Sequence, residues 1–249
     1  MGDMMGSLEW GAASQGRMNA REKVLLFFNL LLARSQDVVE AAMLHAGLLP
    51  QPDMVLDALM PASCALVDDA LDLAQRTHSL PLLHHSWRTY WLGALIGAQQ
   101  QLPHDPSLLF AAAILHDIGL TEGHHPRACK CCFAISGGQR VHAYLLEKGH
   151  PSAQARRVGE AIARHLNIRL SRHQNHPETY LLSRGALCDL VGVGRHRIAP
   201  TLRAEVMRRF PREGVEKVLM LNATSHCAGS RGRFISLVTG GRLPRDPLR

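Results

Sequence analysis

The sequence predicts an all-α protein built as one helical domain. Apolar residues recur at helical intervals through most of its 249 residues, and prolines and glycines cut these runs into segments of helical length. No stretch keeps the period-two alternation of a half-buried strand. A chain of this length buries one sizeable core without needing a second domain. Its hydrophobic fraction of 46% and charged fraction of 20% are those of a folded globular chain.

From the N-terminus, residues 1–20 read as a flexible leader, because Gly6 to Ala20 is rich in Gly, Ser and Ala around a single Trp10. The helical domain is expected over residues 21–225. Between Asn19 and Ala46, apolar residues from Val24 to Leu32 and again from Val38 to Met43 predict two helices, separated near Ser35 and Gln36 and closed by Gly47. A helix over Ser63 to Arg76 puts Leu66, Ala70 and Leu73 on one side and Asp68, Asp69 and Asp72 mainly on the other. Pro81 interrupts, and a helical run follows from about Leu83 to Gln101.

Pro103 to Pro106 form a turn with a capping residue that leads into Ser107 to Ile114, an almost wholly apolar run expected as a buried helix. Gly119 and the segment Thr121 to Lys130 break the pattern. Gly137 and Gly138 are expected just before a helix that stops near Gly149, and free N–H groups at that start would offer an anion seat. Helices over Val158 to Leu166, Leu181 to Val191, Pro200 to Phe210 and Val215 to Ala223 complete the domain, and residues 226–249 read as a basic tail.

The net charge is +7, yet Arg195 to Arg249 carries eleven arginines and one lysine against four acids, so the rest of the chain sums to −1. Such a basic third could meet nucleic acid. Phe210 and Phe234 are its only aromatics, a poor supply of stacking platforms. No window approaches the roughly 18 uncharged apolar residues of a membrane span, and no export signal is evident. Six cysteines at 64, 129, 131, 132, 188 and 227 make no regular disulfide framework, which favours a reducing, cytoplasmic setting. Cys129, Cys131 and Cys132 are too closely spaced for an ordinary structural zinc site and read as free thiols. A homodimer is the base-rate expectation.

The chemistry is carried by Ala111-Ala-Ala-Ile-Leu-His116-Asp117-Ile-Gly-Leu120. Adjacent residues on a helix project about 100° apart, so one cation at the helix end reaches both the imidazole and the carboxylate. Burying that pair behind apolar turns is costly unless a charge compensates it. Imidazole nitrogen with carboxylate oxygen suits Zn²⁺, Mn²⁺, Fe²⁺ or Co²⁺.

With His84-His85-Ser86-Trp87-Arg88-Thr89-Tyr90 before the doublet and Cys188-Asp189-Leu190-Val191-Gly192 after it, the chain resembles the HD-domain superfamily of metal-dependent phosphohydrolases. The motifs span about residues 60–195. Within the superfamily the chain is similar to the cyanamide hydratase branch. The resemblance implies metal ligands His85, the doublet His116 and Asp117, and Asp189, contributed by three different helices of an all-α core. It implies a hydrolase that uses a metal-activated water on a small-molecule substrate, either a phosphomonoester or nucleotide or a small nitrile or amide. Asp117 would serve both as ligand and as proton acceptor. Where that branch places an acid, this chain has Ala134, which weakens a direct transfer of cyanamide hydration.

Further catalytic candidates are His165, as second-metal ligand or proton donor, Glu122 in the loop after the doublet with His124 and His125, and Arg88, whose guanidinium would grip a substrate anion or brace the helices against Asp69 or Asp72. Lys130 and Arg140 are weaker anion-binding candidates, and His142 is read as a packing residue. The rival reading is a non-catalytic HD scaffold that binds nucleic acid through its basic C-terminal third.

Overall fold

Leu108 to Leu115 are apolar without a break, and a helix with no polar face is stable only where neighbours cover it on every side. The computed structural model, which describes residues 5–121, 132–171, 176–219 and 226–248, makes that run the central helix. In chain order the helices are α1 (Leu8–Ser14), α2 (Ala20–His45), α3 (Ala65–Thr77), α4 (Leu80–Gln99), α5 (Pro106–Leu115), α6 (Phe133–Glu147), α7 (Ser152–Arg164), α8 (Pro177–Val191), α9 (Pro200–Arg209), α10 (Val215–Leu219) and α11 (Arg231–Val238). No strand occurs among the described residues. Helices α3, α4, α7 and α8 enclose α5, and α6 lies along α7.

Local chemistry explains the boundaries. Asp105 caps α5 by accepting from the N–H groups of Ser107 and Leu108. Pro81, expected as an interruption, sits in the first turn of α4, where a missing N–H costs nothing. The two helices expected between Asn19 and Ala46 are one helix of 26 residues. Asn19 and Glu22 close a capping box at its start. The polar stretch around Ser35 holds no proline or glycine, and the Ser35 hydroxyl folds back on the Leu31 carbonyl. Gly47, at φ +71°, follows its end.

Two helix pairs approach so closely that only glycine fits. A Cβ on Gly185 of α8 would collide with the Thr89 carbonyl of α4, and one on Gly93 would stand 2.8 Å from the Leu181 carbonyl. In the same way Gly138 and Gly159 bring α6 against α7. Gly137 and Gly138 therefore lie inside α6 as packing residues, and the anion seat expected at a helix start is not formed there.

The ends of the chain are also docked. The segment expected as a leader contains α1, whose Trp10 is buried and donates from Nε1 to Glu22 Oε1 at 2.7 Å. The segment expected as a basic tail contains α11, whose Arg231 is fully buried and donates to Asn167 Oδ1 at 2.6 Å and to the Ala163 carbonyl at 2.7 Å. No helix among the described residues is long and apolar enough to cross a membrane.

Candidate metal centre

The apolar helix α5 delivers the His-Asp doublet to the middle of the molecule. His116 keeps helical angles as its C-cap, and Asp117 then leaves the helix at φ −103°, ψ 13°. The 3₁₀ turn Ile118–Leu120 follows, pressed so tightly against the start of α6 that a side chain on Gly119 would strike the Phe133 carbonyl. His85 reaches the same point from α4, and His165 from the end of α7. His85, His116 and Asp117 are nearly inaccessible, at 0%, 1% and 3% exposure, and His165 is at 4%.

Three imidazoles present the same edge to one carboxylate. His116 Nδ1 lies 2.8 Å from the Ala113 carbonyl and His165 Nδ1 lies 2.7 Å from the Ile162 carbonyl, contacts that require an N–H on each Nδ1. His85 Nδ1 lies 2.6 Å from Asp189 Oδ2. Each Nε2 thus turns a lone pair toward Asp117. His116 Nε2 is 3.2 Å and His85 Nε2 3.4 Å from Asp117 Oδ2, and His165 Nε2 is 3.7 Å from Asp117 Oδ1. The two nitrogens of His85 and His116 are themselves 3.2 Å apart.

Acceptors packed this way repel unless a positive charge lies among them. Titration behaviour shows the same demand. Burial works against a charged His85, yet the Asp117 and Asp189 carboxylates outweigh it and raise its pKa. Burial likewise opposes the Asp117 charge, and His116 and His85 hold its carboxyl well below the usual range. His165 goes the other way, pushed down to about 3 by burial and then by His116, so it is a neutral acceptor at physiological pH. Ligand atoms of His85, His116 and Asp117 lie within 4.8 Å of one another, a nitrogen and oxygen set that fits a divalent transition metal.

Asp189, expected as the fourth ligand, does not join these groups. It stands behind His85, with Oδ1 2.6 Å from Arg88 Nε and Oδ2 3.0 Å from Arg88 Nη2. Burial opposes its charge, and His85 and Arg88 together keep it ionised far down the pH scale. The helix pair explains the placement: one turn from the contact between Gly185 and Thr89, the antiparallel helices bring Asp189 opposite His85.

Arg88 is likewise no substrate anchor. It is fully buried, braced by Asp189 rather than by Asp69 or Asp72, and donates from Nη1 to the carbonyls of Phe210 and Pro211. Arg212, not singled out by the sequence, completes the brace with a hydrogen bond to the Asp189 carbonyl and a 3.3 Å approach to Oδ1. No sequence spacing links residue 212 to the motif, so this partner became visible only in the fold.

Glu122, His124, His125, Cys129, Lys130 and Cys131 lie outside the described residues. His142 is on α6 against Gly159, as a packing residue would be. Arg140 donates to the Thr121 hydroxyl at 3.2 Å. Cys64, Cys132, Cys188 and Cys227 form no disulfide. Much of the basic third is spent on internal ties: Arg195 pairs with Asp37, Arg197 with Glu40, and Arg209 with Asp57 and Glu205, while Arg203 donates to the Leu248 carbonyl.

Residues 82–209, just over half of the chain, match the family model of the HD domain. The chain belongs to the HD-domain family. Members of this family are typically metal-dependent hydrolases that bind divalent metals, and the cluster of His85, His116 and Asp117 is compatible with such an ion. No curated protein gives a significant match to the chain.

Proposed function

We propose that this HD-domain protein is a metal-dependent phosphomonoesterase. The observation that carries the reading is the convergence of three Nε2 lone pairs and the Asp117 carboxylate in one enclosed space. His85, His116 and Asp117 would hold the ion. When bound, a divalent ion lowers the pKa of water and polarises the scissile group, making a hydroxide nucleophile available near neutral pH. Asp189 keeps the His85 ring turned toward the site, as a carboxylate behind a ligating histidine does. Asp117 Oδ1 and the neutral His165 Nε2 face each other at 3.7 Å and are placed to accept the water proton and pass it to the leaving oxygen.

Hydration of a small nitrile of the cyanamide type receives less support. The position where that branch carries an acid is Ala134, fully buried in α6.

The test is metal analysis of the purified full chain together with phosphate release from a panel of phosphomonoesters. About one ion per chain and hydrolysis that falls by at least about a hundredfold in Asp117→Ala are expected. Absence of both bound metal and phosphate release would overturn the reading.

A further inference from the structure

The His/Asp cluster is the floor of a cavity of about 660 Å³. Among the described residues its walls are mainly apolar, with His226, Ser236 and Thr239 as polar exceptions. Helix α2 contributes Leu30 and Leu31, α8 contributes Leu187 and Leu190, and α11 contributes Ile235. The cavity reaches the surface between α2 and α11, because Phe27, Leu31 and Val238 both line it and are 40%, 47% and 42% exposed. Beside this mouth Phe28 and Leu237 are exposed as well. An enclosed polar floor, mainly apolar walls and a rim of exposed apolar side chains with Arg34 and Arg242 therefore follow one another from the centre outward.

This order excludes the ordinary small substrates. A nucleotide would set a base, a ribose and its phosphates against walls whose described residues offer them few partners, and each unpaired polar atom is penalised. Arg34 and Arg242 are the cations among the described lining residues, and neither makes an ion pair among the described residues. Arg34 and Arg242 are both exposed, so their charge lies toward the solvent side. Arg88, which would have gripped a phosphate, is sealed behind His85. A few-atom substrate would leave most of the volume as apolar space, which water fills poorly.

Building on the phosphomonoesterase reading, we infer that the substrate is a long-chain phosphomonoester, an alkyl or isoprenyl phosphate that enters head first. Its phosphate rests on the floor among His85, His116, Asp117 and His165, and its chain follows the walls toward α2 and α11. Arginines near the mouth favour an anionic amphiphile over a cationic one. Water oxygen bonds to phosphorus as the bond from phosphorus to the alkyl oxygen breaks. The proton removed from water goes to that oxygen, and a long-chain alcohol and inorganic phosphate leave.

Binding of n-alkylphosphonates of four to ten carbons, whose carbon–phosphorus bond resists hydrolysis, tests this by calorimetry on the metal-loaded full chain below micellar concentration. Kd should fall about fourfold per added methylene, and decylphosphonate should bind far more tightly than AMP. Leu31→Glu at the half-exposed rim should weaken decylphosphonate binding at least tenfold without lowering metal content, and Leu187→Trp should do the same by filling the wall. Affinity that ignores chain length, AMP binding as tight as decylphosphonate, or Leu31→Glu and Leu187→Trp both without effect would overturn the inference. Steep chain-length dependence without hydrolysis of the matching alkyl phosphates would uphold the cavity assignment and sink the phosphomonoesterase reading. Hydrolysis of short phosphomonoesters at rates blind to chain length would do the reverse.

Discussion

Asp189 holds His85 from behind: its Oδ2 stands 2.6 Å from His85 Nδ1, while the same carboxylate takes two hydrogen bonds from Arg88. The relay fixes which nitrogen of His85 faces the site. Asp189→Asn should therefore weaken metal binding about 10- to 100-fold by loosening the ring. Asp189→Ala should also destabilise the fold by about 3–5 kcal/mol, because Arg88 would be left buried without its countercharge. Metal titration and urea unfolding of the two variants separate these effects, and unchanged metal affinity in both would remove the positioning role.

Metal should stabilise the protein in proportion to its occupancy. At a free ion concentration about 100 times Kd, the gain is about 2.7 kcal/mol. A chelator should lower Tm accordingly, and in Asp117→Ala the melting curves with and without metal should coincide. A chelator shift that survives this substitution would place the ion elsewhere.

His78 predicts a loss of stability in mild acid. Its Nε2 is buried without a hydrogen-bond partner among the described residues, and burial pushes its pKa down to about 4 from the ordinary 6.5. Between those values the unfolded chain takes up a proton that the folded chain refuses. Stability from this residue is therefore fully present above about pH 6.5, falls as pH drops toward 4, and loses up to roughly 3 kcal/mol. His78→Gln should flatten that part of the pH dependence in denaturant titrations. A wild-type curve that is level from pH 6.5 to 4 would contradict it.

Gly185→Ala should disrupt both fold and site. The added methyl meets the Thr89 carbonyl, so α4 and α8 must separate. A loss of about 1–3 kcal/mol is expected from overpacking, together with weaker metal binding, because the pairing of His85 with Asp189 lies one turn away. Thermal melting and metal titration on the same sample check both, and full metal affinity in a destabilised variant would show that the crossing does not position His85.

The helical class, the central apolar helix and the doublet His116-Asp117 were legible because they are local. Periodicity, caps and punctuation act within a few residues, and α3, α4, α5, α8 and α9 lie close to where those signals put them, whereas α6 and α7 begin earlier than expected. The break expected near Ser35 failed for a related reason: polar residues do not end a helix whose backbone hydrogen bonds remain satisfied. The ends were misjudged because the docking of Trp10 and Arg231 depends on partners far along the chain.

By itself, the sequence determined that this chain folds into helices, which helix carries the doublet, and which side chains could bind a cation. Only the tertiary structure decided that Asp189 braces His85 instead of joining the cluster, that Arg88 is spent on that brace, and that α2, α8 and α11 wall an apolar cavity above the floor. Those outcomes turn on which side of a helix meets which neighbour at a separation of about 100 residues. Backbone contacts at Gly93 and Gly185 settle that, and no local pattern encodes it.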